Sequence, residues 1–544
     1  MDRLRSAFLW LFDSEHGASD RLIRRWIFLR ALGLIYFSAF FSLIFQIRGL
    51  IGPQGIFPAT EYLQAVAHAF GHARGLWFAP TLLWLSSSSH ALTALCWAGM
   101  IASILLTLNL WPRAMLVLCF ACFLSFVSAA QDFSGYQSDG MLLEAGFISL
   151  FLAPPGFRPG WGLESPPSRA SLFLLQWEWF RIYFESGAAK ILGGDPQWRN
   201  FTAMDEYYQN GPLPTWIGWY VQHLPHWFHA ASVYATLALE LGLVWAMFLP
   251  RRWRIACFCV ATVWQIGIIL TANYTFLNYL VLSLGFLLLD DRFLQRFLPS
   301  HLRRTLRVSV KNSLPASGRE ELIQPSMEPN IAQQGRAGRT FRGLKLSVAA
   351  LMLSWIFYAS TAEGIRMGVR LPLPMAPVAA LEPFRIANRY GLFGIMTRGR
   401  YELEFQGSAD GETWLTYPFR FKPQDPAKPP GIYAPYQPRF DWNLWFASLG
   451  GWRDYPIVAN AELRLLANDK DVLALFEANP FPRDPPRQVR VLIWRYWFTS
   501  MSEKRSRGLW WRREIRGLYA PTLEQEPDGT IRAVEWPAEA LPPQ

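Results

Sequence analysis

Four ionisable residues stand inside one apolar run of this sequence: Glu178, Arg181, Glu185 and Lys190, all within 170–192. The first three fall at i, i+3 and i+7, one face of a helix. A charge at the centre of a bilayer costs at least about 2.5–3.5 kcal/mol unless it is paired or wetted, so this face must turn away from lipid. Glu144 and Glu240, each in a further apolar run, are candidate members of the same intramembrane cluster. Two kinds of chemistry fit. One is a substrate or proton site, with Lys190 and Glu185 as the candidate catalytic residues. The other is a set of paired charges that fixes helix register, and paired charges alone do not make a mechanism.

Other reactive side chains point to less. His223, His226 and His229 recur at three-residue spacing, but Pro225 interrupts them and no acid or Cys stands beside them, so no metal site is expected. Cys96, Cys119, Cys122, Cys257 and Cys259 sit inside apolar runs and read as packing residues. Phosphate loops, dinucleotide fingerprints, nucleophile elbows and zinc-protease motifs are all missing from the sequence. No cofactor is predicted, and a non-enzymatic role is the more natural reading.

The elements that must position the cluster follow from composition. The 544 residues are 51% hydrophobic and only 17% charged, too few charges to coat a soluble globule of this length. Apolar runs of roughly 20 residues, the length that crosses a bilayer, recur through the first 361 residues, and about nine are expected. They lie near 26–46, 90–111, 114–130, 141–154, 170–192, 229–249, 254–272, 275–290 and 344–361. Basic residues collect in alternate connections: Arg21, Arg24 and Arg25, then Arg113, then Arg158 and Arg169, then Arg251, Arg252 and Arg254, then the long connection 291–343. Cytoplasmic loops gather positive charge, so the N-terminus is expected in the cytoplasm and the C-terminal region outside it. The net charge of +11 then belongs to contact with lipid headgroups, not to nucleic acid.

The expected organisation is a cytoplasmic, partly interfacial N-terminus (1–25), a transmembrane bundle (26–290), a basic cytoplasmic loop (291–343) whose part 312–340 reads as disordered, a last transmembrane helix (344–361) and an extracytoplasmic domain (376–544). No cleavable signal peptide is expected before the bundle. In the last domain Tyr401, Leu403 and Phe405 alternate with polar residues, the period of a half-buried strand. Asp410-Gly411 marks a hairpin, with a return strand over 414–421. Asp441 is placed to cap a helix, 461–467 and 471–477 read as short helices, and 489–498 as a late strand. A β-rich, sandwich-like domain with a few helices is expected. Asn200 and Asn273 begin glycosylation sequons close to the membrane.

Several blocks of residues carry a family resemblance. In the membrane half these are Leu50 to Pro58, Leu142 to Phe147 with Phe151 to Pro154, and the external loop from Gly194 with Asp195, Trp198, Arg199, Thr202, Met204, Tyr208, Pro212 and Pro214. Downstream they are Asn388, Tyr390, Gly391 and Phe393; Pro435; Asp441, Trp442, Trp445 and Phe446; Asn479, Pro480 and Phe481; and Arg495 with Tyr496. In this order they resemble the lipase maturation factor family, with the Arg-over-Lys bias of a bacterial member. The resemblance implies a multi-pass membrane protein, of the endoplasmic reticulum in eukaryotes, that assists secreted lipases in reaching their active form. It also implies a C-terminal domain that contacts the client, and partners limited to membrane lipid and that client. The aromatics Trp442, Trp445, Phe446, Trp494, Tyr496, Trp497, Trp510 and Trp511 are available as client-binding surface. A fainter similarity, through Ser186-Gly187-Ala188-Ala189-Lys190, is to vitamin K-dependent γ-carboxylases and related HTTM membrane proteins, in which a Lys is implicated as base; transport is the other alternative.

Overall fold

The computed structural model describes residues 2–14, 17–303 and 336–538. Most of the stretch 312–340, expected to be disordered, lies outside the described residues. The upstream half is helical: α1 (Leu22–Ile44), α2 (Ser89–Thr107), α3 (Pro112–Ala129), α4 (Gln137–Leu152), α5 (Arg169–Leu192), α6 (His226–Leu237), α7 (Arg251–Thr271), α8 (Leu277–Gly285) and α9 (Arg336–Gly368). Small residues let the first helices approach closely. A Cβ at Gly33 of α1 would collide with the Thr107 side chain of α2, and one at Gly99 of α2 with the Phe40 ring.

Among the described residues six helices are long and apolar enough to cross a membrane: Ser19–Ile44, Ser89–Thr107, Pro112–Ala129, His226–Phe248, Arg251–Thr271 and Arg342–Gly368. This corrects the expected count of about nine. The runs at 141–154, 170–192 and 275–290 are helical but differ in kind. α4 has only 16 residues, α5 carries the four charges, and α8 has 9 residues before a 3-10 turn. All three are buried along most of their length, so most of their apolar residues pack on protein and not on lipid. Apolar content reports burial but cannot say which medium does the burying.

The downstream half is built on an antiparallel sheet of order β2-β1-β3-β4-β5, with β1 Arg400–Ser408, β2 Trp414–Thr416, β3 Gln488–Phe498, β4 Trp511–Gln525 and β5 Ile531–Glu535. The expected sandwich is therefore a single sheet among the described residues, covered by α10 (Arg439–Ala447) and α11 (Pro456–Leu466). The register sets Leu403 opposite Ile493 and Phe405 opposite Val491. At the hairpin the Asp410 carboxylate accepts from the backbone N–H of Glu412 and Thr413 (2.9 and 2.7 Å), which holds its pKa below the usual carboxylate range. The return strand stops at Thr416, short of 421. Residues 461–467 fall in a longer helix, α11, and the helix at 471–477 is the single turn Lys470–Leu473.

One apolar core runs through both halves, joining Phe28, Phe123 and Leu175 of the bundle to Leu403, Phe440 and Val491 of the sheet domain. The downstream region thus packs into the end of the bundle. Polar contacts reinforce the seam: Arg48 pairs with Asp471 at 2.8 Å, and Asn460 donates to the Ile56 carbonyl at 3.0 Å.

Candidate functional site: a buried charge cluster that holds a downstream strap

The helical face of α5 behaves as its spacing requires. Glu178, Arg181, Glu185 and Lys190 are at most 3% exposed. α4 brings Glu144 against Arg181, and the two form a close ion pair. What completes the cluster, besides Glu240 from the membrane helix His226–Phe248, is the segment 388–397, just upstream of β1.

Glu144 Oε2 accepts from the Asn388 backbone N–H (3.0 Å), Asn388 Nδ2 (3.1 Å) and the Tyr390 hydroxyl (2.8 Å). Arg181 donates to the Asn388 carbonyl at 2.6 Å and lies 4.0 Å from Glu185. Glu185 accepts from the Tyr390 N–H (2.7 Å), and the Ser186 hydroxyl from that of Leu392 (3.2 Å). Lys190 Nζ sits 2.8 Å from Glu240 and donates to the Leu392 carbonyl at 2.9 Å. Charge-assisted bonds of this kind are the strong ones, and here they stitch a strap of irregular backbone whose polar groups would otherwise be stranded. Glu178 is the exception. It is fully buried, and among the described residues neither carboxylate oxygen has a hydrogen-bond partner.

The external loop continues the same seam. Asp195 caps the turn Pro196–Arg199, accepting from Gln197 N–H, while its other oxygen accepts from Met396 N–H at 2.7 Å. The indole of Trp198 donates to the Phe393 carbonyl at 3.0 Å and places its ring 5.1 Å from Lys190 Nζ. Gly391 N–H reaches Gln137, and the Phe393 ring packs on Tyr207 and Tyr274. Met204 and Tyr208 are buried behind the strap, the Pro212 carbonyl accepts from Arg400, and Pro214 bridges to Ala272. Arg199 turns back to the Ile191 carbonyl, and Thr202 closes a turn with Gln197.

Other predicted residues lie apart from this seam or serve as packing. Trp442, Trp445, Tyr496 and Trp511 are 6%, 7%, 1% and 1% exposed, which removes them as client-binding surface. Trp445 Nε1 donates to the Asn210 carbonyl, and Trp442 and Phe446 pack on Tyr136. Pro435 offers its carbonyl to Ser38, Asn479 closes a turn onto Phe481 N–H just past Pro480, and Arg495 lies over Trp497. Asn273 is no glycosylation acceptor: its amide is buried, donating to the Gly431 carbonyl and accepting from Tyr433 N–H. His223 bonds two backbone carbonyls and His226 meets Asp205.

Asp441 stands in the first turn of α10, not at its cap, and accepts from the Lys422 N–H at 3.2 Å. Burial pushes its pKa up to about 6. An unfolded Asp titrates near about 3.9, so the folded chain binds the extra proton between the two values and its stability falls as pH rises across that window. Replacing Asp441 by Asn is expected to flatten this dependence. Thermal unfolding of the two proteins between pH 4 and 7 should diverge by on the order of 1–3 kcal/mol, the wild type gaining on acidification relative to the variant.

Sequence reading assigns no buried ion pair to three basic residues, two of which, Lys422 and Arg439, lie in the blocks that carry the family resemblance. Arg439 makes a bidentate pair with Asp139 (2.7 and 2.8 Å) at 0% exposure, and Arg400 and Lys422 share Glu402. In a segment of ordinary charge density nothing distinguishes them from surface arginines and lysines.

A helical membrane body whose central charges anchor a covering sheet domain is a class of membrane protein with two interlocked halves. The chain belongs to the lipase maturation factor family. The model of that family's transmembrane domain matches residues 23–296 and that of its C-terminal domain residues 386–521. The chain is 31% identical to lipase maturation factor 1 of Bos taurus, over 98% of its own length and 93% of that relative. It is 31% identical to lipase maturation factor 2 of Homo sapiens, covering 93% of this chain and 83% of the relative. Lipase maturation factor 1 of Homo sapiens is 29% identical, over 93% and 88%. No solved structure matches the chain.

Proposed function

We propose that the protein is a membrane-anchored maturation factor, not an enzyme, which holds an incompletely folded secreted client, a lipase in the first instance, beside the outer face of the membrane. One observation carries this reading: the charges best placed for chemistry are spent on the strap. Lys190 is engaged by Glu240 and the Leu392 carbonyl, Glu185 by Tyr390, and Glu144 by Asn388 and Tyr390. They seat the downstream domain.

Counting the protein-packed α4, α5 and α8 as passages between the same two ends as the six lipid-crossing helices, the chain passes an odd number of times, and the positive connections support a cytoplasmic N-terminus and an external downstream domain. Arg25 gathers the carbonyls of Trp161, Gly162 and Ser165, and Asp291 accepts from the first N–H groups of α1, so the basic connections share one end. The connections poor in charge share the other: Asn273 meets 431–434 there, and Phe133 meets Arg439. Client contact then falls to apolar groups still outside, such as Trp77, Phe78 and Trp536, between 50% and 62% exposed.

In a host lacking the chain, secreted lipase activity should drop while lipase synthesis continues, and the full chain should restore it. Lys190→Ala separates the readings. Under this proposal rescue tracks the amount of folded variant, whereas abolished rescue at undiminished folded protein overturns it in favour of intramembrane chemistry.

A further inference from the structure

Behind the strap, whose Phe393 and Met396 line its inner end, a cavity of about 770 Å³ reaches between α6 and α7. Its back wall is Lys190, Glu240 and the Trp198 ring; its side walls are Leu239 and Leu243 on one side and Trp264 and Gly267 on the other. A Cβ built on Gly267 would meet nothing within 4 Å, and Val263 at the mouth is 72% exposed. Both bounding helices are among those able to cross a membrane, so the mouth faces hydrocarbon.

Local structure explains why the gap exists. After Leu237 the helix widens into a π turn, Ala238–Gly242, then tightens into a 3-10 turn, Leu243–Phe248. Such a turn interrupts regular helix packing and is frequent at functional sites. It displaces the chain and delivers Glu240 to Lys190. α7 is fastened at both ends, by Cys257 Sγ on the Leu243 carbonyl at 3.4 Å and by Thr215 Oγ1 on the Leu270 carbonyl at 2.8 Å. The opening is a window closed above and below.

We propose that this window holds one hydrocarbon chain of a bilayer lipid, its headgroup remaining at the membrane surface. Water needs several polar partners in such a space, and the hydroxyls on the walls, Ser232, Thr236 and Thr271, already donate to carbonyls of their own helices. A partner helix, about 10 Å across, cannot enter a window fastened at both ends. An anionic headgroup finds no vacancy either, since Lys190 is paired and bonded to two carbonyls. A flexible alkyl chain needs only dispersion contacts, which the lining supplies.

The test uses the full chain in phosphatidylcholine vesicles carrying a small fraction of phosphatidylcholine with a photoactivatable diazirine in mid-chain. Peptide mapping is expected to find label on the inward residues Leu239, Trp264 and Gly267, besides the bulk-facing Ile266 and Leu270. Gly267→Phe fills the window and should lower the inward label roughly tenfold while leaving the outward label unchanged. Ala235→Phe does the same from the opposite wall, and covers the case in which the first variant does not fold. Label confined to Ile266 and Leu270 in the wild type, inward label undiminished in a folded variant, or crosslinks from the lining to a second polypeptide would each overturn the proposal.

Discussion

Glu144→Ala is expected to destabilise the protein by about 3–5 kcal/mol, because Arg181 would remain at 2% exposure with its close partner gone. Of the remaining carboxylates of the cluster, Glu185 lies 4.0 Å away and already accepts from the backbone of Tyr390. The loss is not confined to one pair. Asn388 and Tyr390 lose three acceptor contacts at the same atom, so the strap is released where it enters the bundle. Unfolding in detergent measures the first effect. Limited trypsin cleavage after Arg389 and Arg398 measures the second, and should quicken in the variant before global unfolding begins. The pair Glu144→Leu with Arg181→Met removes both charges and should recover only part of the stability: a buried ion pair replaced by apolar groups is often neutral, but Glu185 loses its cation 4.0 Å away. Strap cleavage should stay fast in that double variant, because Asn388 and Tyr390 remain without their acceptor.

The asymmetry between helix and partner explains what could be read from residues alone. Glu178, Arg181 and Glu185 stand out because charge is rare in an apolar run, and their spacing on one face was sufficient to place them inside the bundle. The partner of Arg181 and Glu185 is a strap some two hundred residues downstream, whose Asn388 and Tyr390 look like ordinary turn residues. The aromatics of 442–446 and 494–511 fit either a sticky surface or a core, and only the packing of α10 and the sheet onto the bundle decides for the core. β1 shows a period of two, and β3 reads as a late strand. β4 shows no such period, because Gly517 at φ +132° and register shifts against β3 break its alternation. The span count failed for a related reason: α4 and α8 are as apolar as lipid-facing helices but are surrounded by protein.

Arg439→Met should be the most damaging change in the downstream domain. The guanidinium is 0% exposed, forks onto both oxygens of Asp139, donates to the Phe133 carbonyl at 2.6 Å and lies 4.7 Å from the centre of the Phe126 ring. Met fills comparable space but leaves the Asp139 carboxylate buried without its counter-charge, a loss of about 3–5 kcal/mol. A bidentate fork is not replaced by an ammonium, so Arg439→Lys should recover only part of it. The pair joins the bundle to α10 and stands apart from the strap contacts with Glu144. Its removal should therefore raise amide hydrogen exchange first in 131–139 and 433–447, with the bonds between 388–397 and α5 still protected. If exchange instead rises equally along the strap, the two anchors act as one, and the downstream domain leaves the membrane body as a single unit. Secreted lipase activity in the complementing host should fall with the loss of this seam even where the variant still reaches the membrane, because a client-holding surface acts only while it is fixed beside the bilayer.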